Sequence, residues 1–211
     1  MTSDRFANTF TAGTSAIEQA IDDFTHGFLA YQPKAANILA AADAAPEHAL
    51  TNTYAAMLWM FLEAPVAANK AAPYIANARR AVELSDRERS NLEIAATWVA
   101  GDVPQTMRLC DAHSDQYPND LVVIKLAQYL HFNAGDAPSM LRACLKALPE
   151  ATDAPYVHGM IAFGYEQCHQ LELAEASARR ALEIEPTDAW AHRAIAHVML
   201  TQGRVVEGAR F

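Results

Sequence analysis

Residues 100–110 read AGDVPQTMRLC and residues 134–144 read AGDAPSMLRAC, the same landmarks displaced by 34 positions. Ala100, Gly101, Asp102, Pro104, Arg108 and Cys110 recur as Ala134, Gly135, Asp136, Pro138, Arg142 and Cys144. Doubling the step carries Gly135 to Gly203, and Pro118 and Asp120 to Pro186 and Asp188. A fixed period of this length marks a repeat architecture, because each supersecondary unit has an apolar face that it cannot bury alone and must stack on a neighbour.

One period, Pro155 to Asp188, shows what the unit is. Apolar or small residues fall at Ile161, Ala162, Tyr165, Ala174, Ala178 and Ala181, and Pro186 closes the unit. This spacing predicts two amphipathic helices joined near Cys168–Gln170 and stopped at Pro186. Alanine makes up about a fifth of the chain against only 8 glycines. It is the best helix former and lets neighbouring helices approach closely, which argues against a sheet protein. The small–small–aromatic and A…A…P order of these residues resembles the tetratricopeptide repeat. That resemblance implies an all-α solenoid of antiparallel hairpins, wound as a right-handed superhelix, whose first helices line a concave groove.

Earlier units match the ruler more loosely. Ser15 with Glu18 has the pattern of a capping box, leading into a stripe at Ile17, Ile21, Phe24 and Phe28. Ile38, Leu39 and Ala42 predict a partner helix ended by Pro46. Leu50, Tyr54, Met57, Leu58 and Phe61 predict the next first helix, and NARRAVEL at 77–84 echoes SARRALEI at 177–184 as a second helix. Pro65 and Pro73 predict a longer loop between them. The resulting organisation is an N-terminal extension, 1–14, and a single helical-repeat domain, 15–211, of five hairpins and a partial sixth. Gly203 marks the loop of the last unit, so the ruler leaves that hairpin unfinished and implies a fragment or a covered end.

The run AEASARRALEIEPTDAWAHRAIAHVMLTQGRVVEG at 174–208 is similar to the tetratricopeptide repeat protein 38 family, as are Arg87-Glu88, Trp98 and Gly101-Asp102. That family's pattern has two histidines four apart in the DAWA helix. Here Arg193 stands at the first position, and His192 and His197 are five apart. The resemblance implies a fold and leaves the activity open.

Composition excludes several function classes. A formal net charge of −9 opposes the phosphate neutralisation that nucleic-acid binding needs. No apolar run reaches the roughly 18–20 residues of a membrane helix. Cys110, Cys144 and Cys168 form no metal or redox spacing, so a reducing cytoplasm is the expected compartment. His192 and His197 lie ~140° apart around a helix, which does not suit a shared ion, though His197 can meet Glu166 of a neighbouring hairpin. Cys110 and Cys144 read as small buried residues in second helices. No nucleophile elbow, Walker loop or dinucleotide fingerprint occurs, so neither an enzyme nor a cofactor or metal has positive support.

Placed by the glycine landmarks, Trp98, Lys125, Tyr129, Phe132, Tyr156, Phe163, Glu166, Trp190, Arg193 and His197 fall on the first helices. Rigid aromatic rings with a few long polar groups suit partner recognition, and each ring is open to the alternative of interhelical core. The expected function is a scaffold that binds a protein or peptide in the groove, with self-association as a separate expectation. The alternative is a small-molecule-binding or enzymatic repeat protein with a polar pocket at Arg193, His197 and Glu166.

Overall fold

A computed structural model describes all residues, 1–211. The chain is all-α apart from one short antiparallel pair. Strands β1 (Thr2–Ser3) and β2 (Thr9–Phe10) align Thr2 with Phe10 and Ser3 with Thr9. The fold divides into two compact units, Met1–Val123 and Ile124–Phe211. The first holds α1 (Ser15–Ala30), a 3-10 turn (Pro33–Ala36), α2 (Asn37–Ala44), α3 (Ala49–Met60), α4 (Ala67–Ala78), α5 (Asp86–Val99) and α6 (Val103–Gln116). The division falls within α7 (Leu121–Asn133). Beyond it the second unit holds α8 (Ala137–Leu145), α9 (Leu148–Ala151), α10 (Val157–Gln167), α11 (Leu171–Ile184), α12 (Ala189–Thr201) and α13 (Val205–Gly208). Successive helices pair as antiparallel hairpins, the architecture the period predicts.

The hairpin turns explain the ruler. Gly101, Gly135 and Gly203 have φ of 85°, 73° and 71°, a left-handed conformation that carries little penalty without a Cβ. At each turn two backbone bonds close the preceding helix: Gly101 and Asp102 N–H donate to Trp98 and Thr97 carbonyls, and Gly135 and Asp136 to those of Phe132 and His131. One further step of 34 reaches His169, which takes φ 57° and makes the same pair of bonds, with its own N–H to Glu166 and that of Gln170 to Tyr165. The turn therefore keeps its geometry where the glycine is missing. Asp102 and Asp136 then cap α6 and α8, accepting from Gln105 N and Ser139 N, with a proline in the first turn of each helix.

Alanines sit where helices meet. In the second unit Ala162, Ala178, Ala181, Ala191 and Ala194 form one buried cluster with Ile195 and Met199. The closest approaches use glycine: a Cβ on Gly164 of α10 would lie 2.9 Å from the Leu141 Cα of α8, and one on Gly159 would overlap the Asp188 carboxylate. Gly159→Ala is expected to cost about 1–3 kcal/mol by overpacking, measurable as a lower urea midpoint.

Several local expectations are corrected. The cap of α1 is Thr14, whose hydroxyl accepts from Ile17 N, one residue before the expected Ser15. Pro73 lies inside α4, where a loop was expected. Residues 79–84 do not continue that helix: α4 ends at Ala78 and Val82 is 97% exposed, although SARRALEI is helical within α11. The two octapeptides differ in their downstream neighbours. Ser85 opens the capping box of α5 immediately after the first, so the chain must turn before it. Residues 1–14 are folded onto the first unit: Arg5 pairs with Asp22, and the Asn8 amide donates to the Asn119 carbonyl.

Candidate recognition face

The period carries side chains from the first helices of the second unit to matching positions. Lys125, Gly159 and Arg193 are one step apart, as are Tyr129, Phe163 and His197, and likewise Phe132 and Glu166. On α7, α10 and α12 these positions form two connected features. The first is a ladder of rings: Phe132 and Phe163 have centroids 5.2 Å apart, and Phe163 and Trp190 stack at 4.5 Å with an interplanar angle of 27°. Basic side chains sit on its faces, with Lys125 Nζ 3.7 Å from the Trp190 centroid and the Arg193 guanidinium Cζ 4.3 Å from that of Phe163.

The second feature is centred on Glu166, which is buried. Its Oε2 accepts from Arg193 Nη1 at 2.8 Å, its Oε1 lies 2.6 Å from His197 Nδ1, and the Gln167 amide donates to both oxygens at 3.0 Å. Burial raises the carboxyl's pKa, but the bonds from Arg193 and Gln167 outweigh it and hold the group below its ordinary value. The Arg193 and His197 side chains remain 41% and 47% exposed, so Glu166 holds two solvent-reaching polar side chains in place. A carboxylate with both oxygens occupied positions these groups and has little capacity left to take a substrate proton.

Exposure separates the sequence candidates. Phe132, Arg193 and His197 are exposed, Tyr129 and Trp190 are half-buried, and Lys125, Tyr156, Phe163 and Glu166 are buried. Tyr156 precedes α10 with φ 74°. Trp98 lies in the first unit, buried edge-on against Phe61 at 4.9 Å. Burial also pushes the Lys125 amine down to about 7, against the opposing influence of Cys144 and Asp188. Cys144 is pushed up to about 12 by burial, and the Cys110 and Cys168 thiols are likewise raised. These shifts disfavour the thiolate a nucleophile needs.

Sequence reading missed a polar cluster in the first unit. Asp120 is buried and pairs with Arg87 Nη1. Its Oδ2 also accepts from the Asn91 amide at 3.0 Å and lies 3.2 Å from His113 Nε2, whose Nδ1 is 2.8 Å from Ser90 Oγ. Two signals existed. Asp120 recurs as Asp188, and Ser85-Asp86-Arg87-Glu88 has the capping-box pattern. Buried and held together by the ion pair of Arg87 with Asp120, this cluster serves structure, although Arg87 Nη2 and Asn91 Oδ1 find no hydrogen-bond partner.

No family model matches the chain. Among solved structures the chain is similar to a mutant form of the protein MamA. The two are 17% identical, the match covers 74% of this chain and 91% of that one, and the TM-score is 0.47. No helix is long and apolar enough to cross a membrane.

Proposed function

We propose that the second unit is a protein-recognition scaffold of tetratricopeptide type. In this reading a partner segment lies along the exposed Phe132 ring and the half-buried Trp190, with the buried Phe163 supporting both, and presents a carbonyl or carboxylate to Arg193 and a hydrogen-bonding group to His197. The observation that carries the reading is the buried Glu166 holding two exposed polar side chains beside stacked rings. Pre-ordered polar groups and rings lose little entropy on binding, which is where recognition sites gain affinity. The narrower likeness to the tetratricopeptide repeat protein 38 family supports the hairpin itself: within 174–208, Ala174, Ala178, Ala181, Asp188, Ala191, Ala194 and Val198 are all buried.

The small-molecule or enzymatic alternative draws less support, because Arg193, His197 and Gln167 already occupy both Glu166 oxygens. Self-association belongs to the proposal as well. Leu200, Val205 and Val206 are 65%, 60% and 69% exposed, and a concentration-dependent rise in light-scattering mass is its expected sign.

The test uses a partner captured and identified by cross-linking with the unaltered chain. Arg193→Ala is expected to weaken binding about tenfold, and Trp190→Ala by at least about 2 kcal/mol. Helicity at 222 nm should stay unchanged for Arg193→Ala, whose side chain is exposed. A partner bound equally well by both variants removes the recognition-face reading.

A further inference from the structure

A separate pocket of about 500 Å³ opens in the first unit between α2, α3 and α4. One wall is the half-buried Trp59 ring, and Lys70 Nζ stands 5.8 Å from its centroid. No carboxylate lies within ion-pair distance of Lys70, so its charge is available to a ligand. Asp43 lines the same pocket. The Tyr74 hydroxyl donates to its Oδ1 at 2.9 Å, which orients the carboxylate and leaves Oδ2 for another donor. Between the two charges runs α4, interrupted chemically by Pro73. A proline has no N–H for the carbonyl one turn earlier, and that carbonyl belongs to Asn69, itself a lining residue. A cation, an anion, an aromatic wall and the Asn69 side chain thus line one cavity of the size small ligands occupy.

We infer that this pocket binds a small zwitterion, a free amino acid or dipeptide with an apolar side chain. Its carboxylate pairs with Lys70, its ammonium with Asp43, and its side chain rests on Trp59. The Asn69 side-chain amide supplies both the donor and the acceptor that a peptide group requires. The pocket lies wholly in the first unit, so this binding stands independently of the recognition face proposed above.

Isothermal titration of the full chain with leucyl-phenylalanine, at neutral pH and low salt, tests the inference. The free dipeptide is expected to bind one to one with Kd at or below about 1 mM. Its N-acetyl and C-amide derivatives are each expected to bind at least tenfold more weakly. Asp43→Asn should abolish the preference for the free amine while keeping that for the free carboxylate, and Lys70→Met should do the reverse. Both side chains are exposed, so thermal melting should match the parent chain and confirm folding. Absence of saturable heat overturns the inference. So does equal binding of the blocked dipeptides, or a preference unchanged in both variants.

Discussion

Asp120→Ala is expected to destabilise the chain by about 3–5 kcal/mol, a large share of the total stability of a domain. Asp120 is buried at the start of α7, where its Oδ1 accepts from Val123 N and its Oδ2 meets Arg87, Asn91 and His113. Removing the carboxylate leaves the Arg87 guanidinium buried without its counter-charge, which costs more than the pair itself contributes. The double variant Arg87→Met with Asp120→Leu should recover part of the loss, and a urea-denaturation cycle of single and double variants measures the coupling. A loss under about 1 kcal/mol in Asp120→Ala contradicts this account. The same geometry gives an acid dependence. Burial raises the Asp120 pKa, but Arg87 and the hydrogen bonds outweigh it and hold the carboxyl well below its ordinary value. A depressed carboxyl stabilises the fold above the unfolded pKa of about 3.9. That contribution fades as pH falls from there through the folded value. Asp120→Asn, unable to titrate, should show a shallower loss of stability below about pH 4.

Deleting residues 1–11 is expected to cost at least about 3 kcal/mol, because the segment satisfies charged groups that are buried. Glu88 is 1% exposed and accepts from Thr11 N at 3.0 Å and Thr11 Oγ1 at 2.8 Å, in addition to Ser85 N and Oγ. Arg87 Nε donates to the Thr9 carbonyl at 3.1 Å, and His48 Nε2 lies 3.0 Å from the Thr11 carbonyl. Burial raises the Glu88 carboxyl, and the N–H groups of Ser85 and Thr11 bring it below its ordinary value. Thr11→Val should show part of the same effect, by removing the hydroxyl bond alone. A deletion that leaves the unfolding free energy from urea denaturation within about 0.5 kcal/mol of the parent would mean that the segment is a dispensable extension.

Two aspartates that the ruler makes equivalent show where sequence reasoning stops. Asp188 caps α12, accepting from Trp190 N at 2.9 Å and Ala191 N at 3.2 Å. Asp120 occupies the same place in α7, and a capping aspartate is legible in both. Their electrostatics are opposite. Asp120 has Arg87 beside it and is held low, whereas Asp188 Oδ2 sits over Gly159 with no hydrogen-bond donor and burial raises the group. Nothing local distinguishes them, because the deciding neighbours lie about 30 residues away on another helix.

The candidate face divides in the same way. That Glu166 can meet His197 is legible, since the repeat brings α10 beside α12 and the two residues share a face. Arg193 joining them and stacking on Phe163 is a matter of rotamers and packing. Trp98 and Phe163 belong to the same aromatic pattern in sequence, yet Trp98 packs against Phe61, a ring contributed by a hairpin that the ruler describes loosely.

By itself the sequence determined the all-α class, the 34-residue hairpin, the turns at Gly101, Gly135 and Gly203, and the use of alanine between helices. These depend on backbone conformation and on periodicity, which neighbours in the chain dictate. Only the tertiary structure decided that His169 takes the left-handed turn conformation that glycine takes elsewhere, that α4 stops at Ala78, and which carboxylates gain a cation. It also decided which rings reach solvent. Burial and Coulomb interactions depend on distances between residues far apart in sequence, and those distances are set when the hairpins stack.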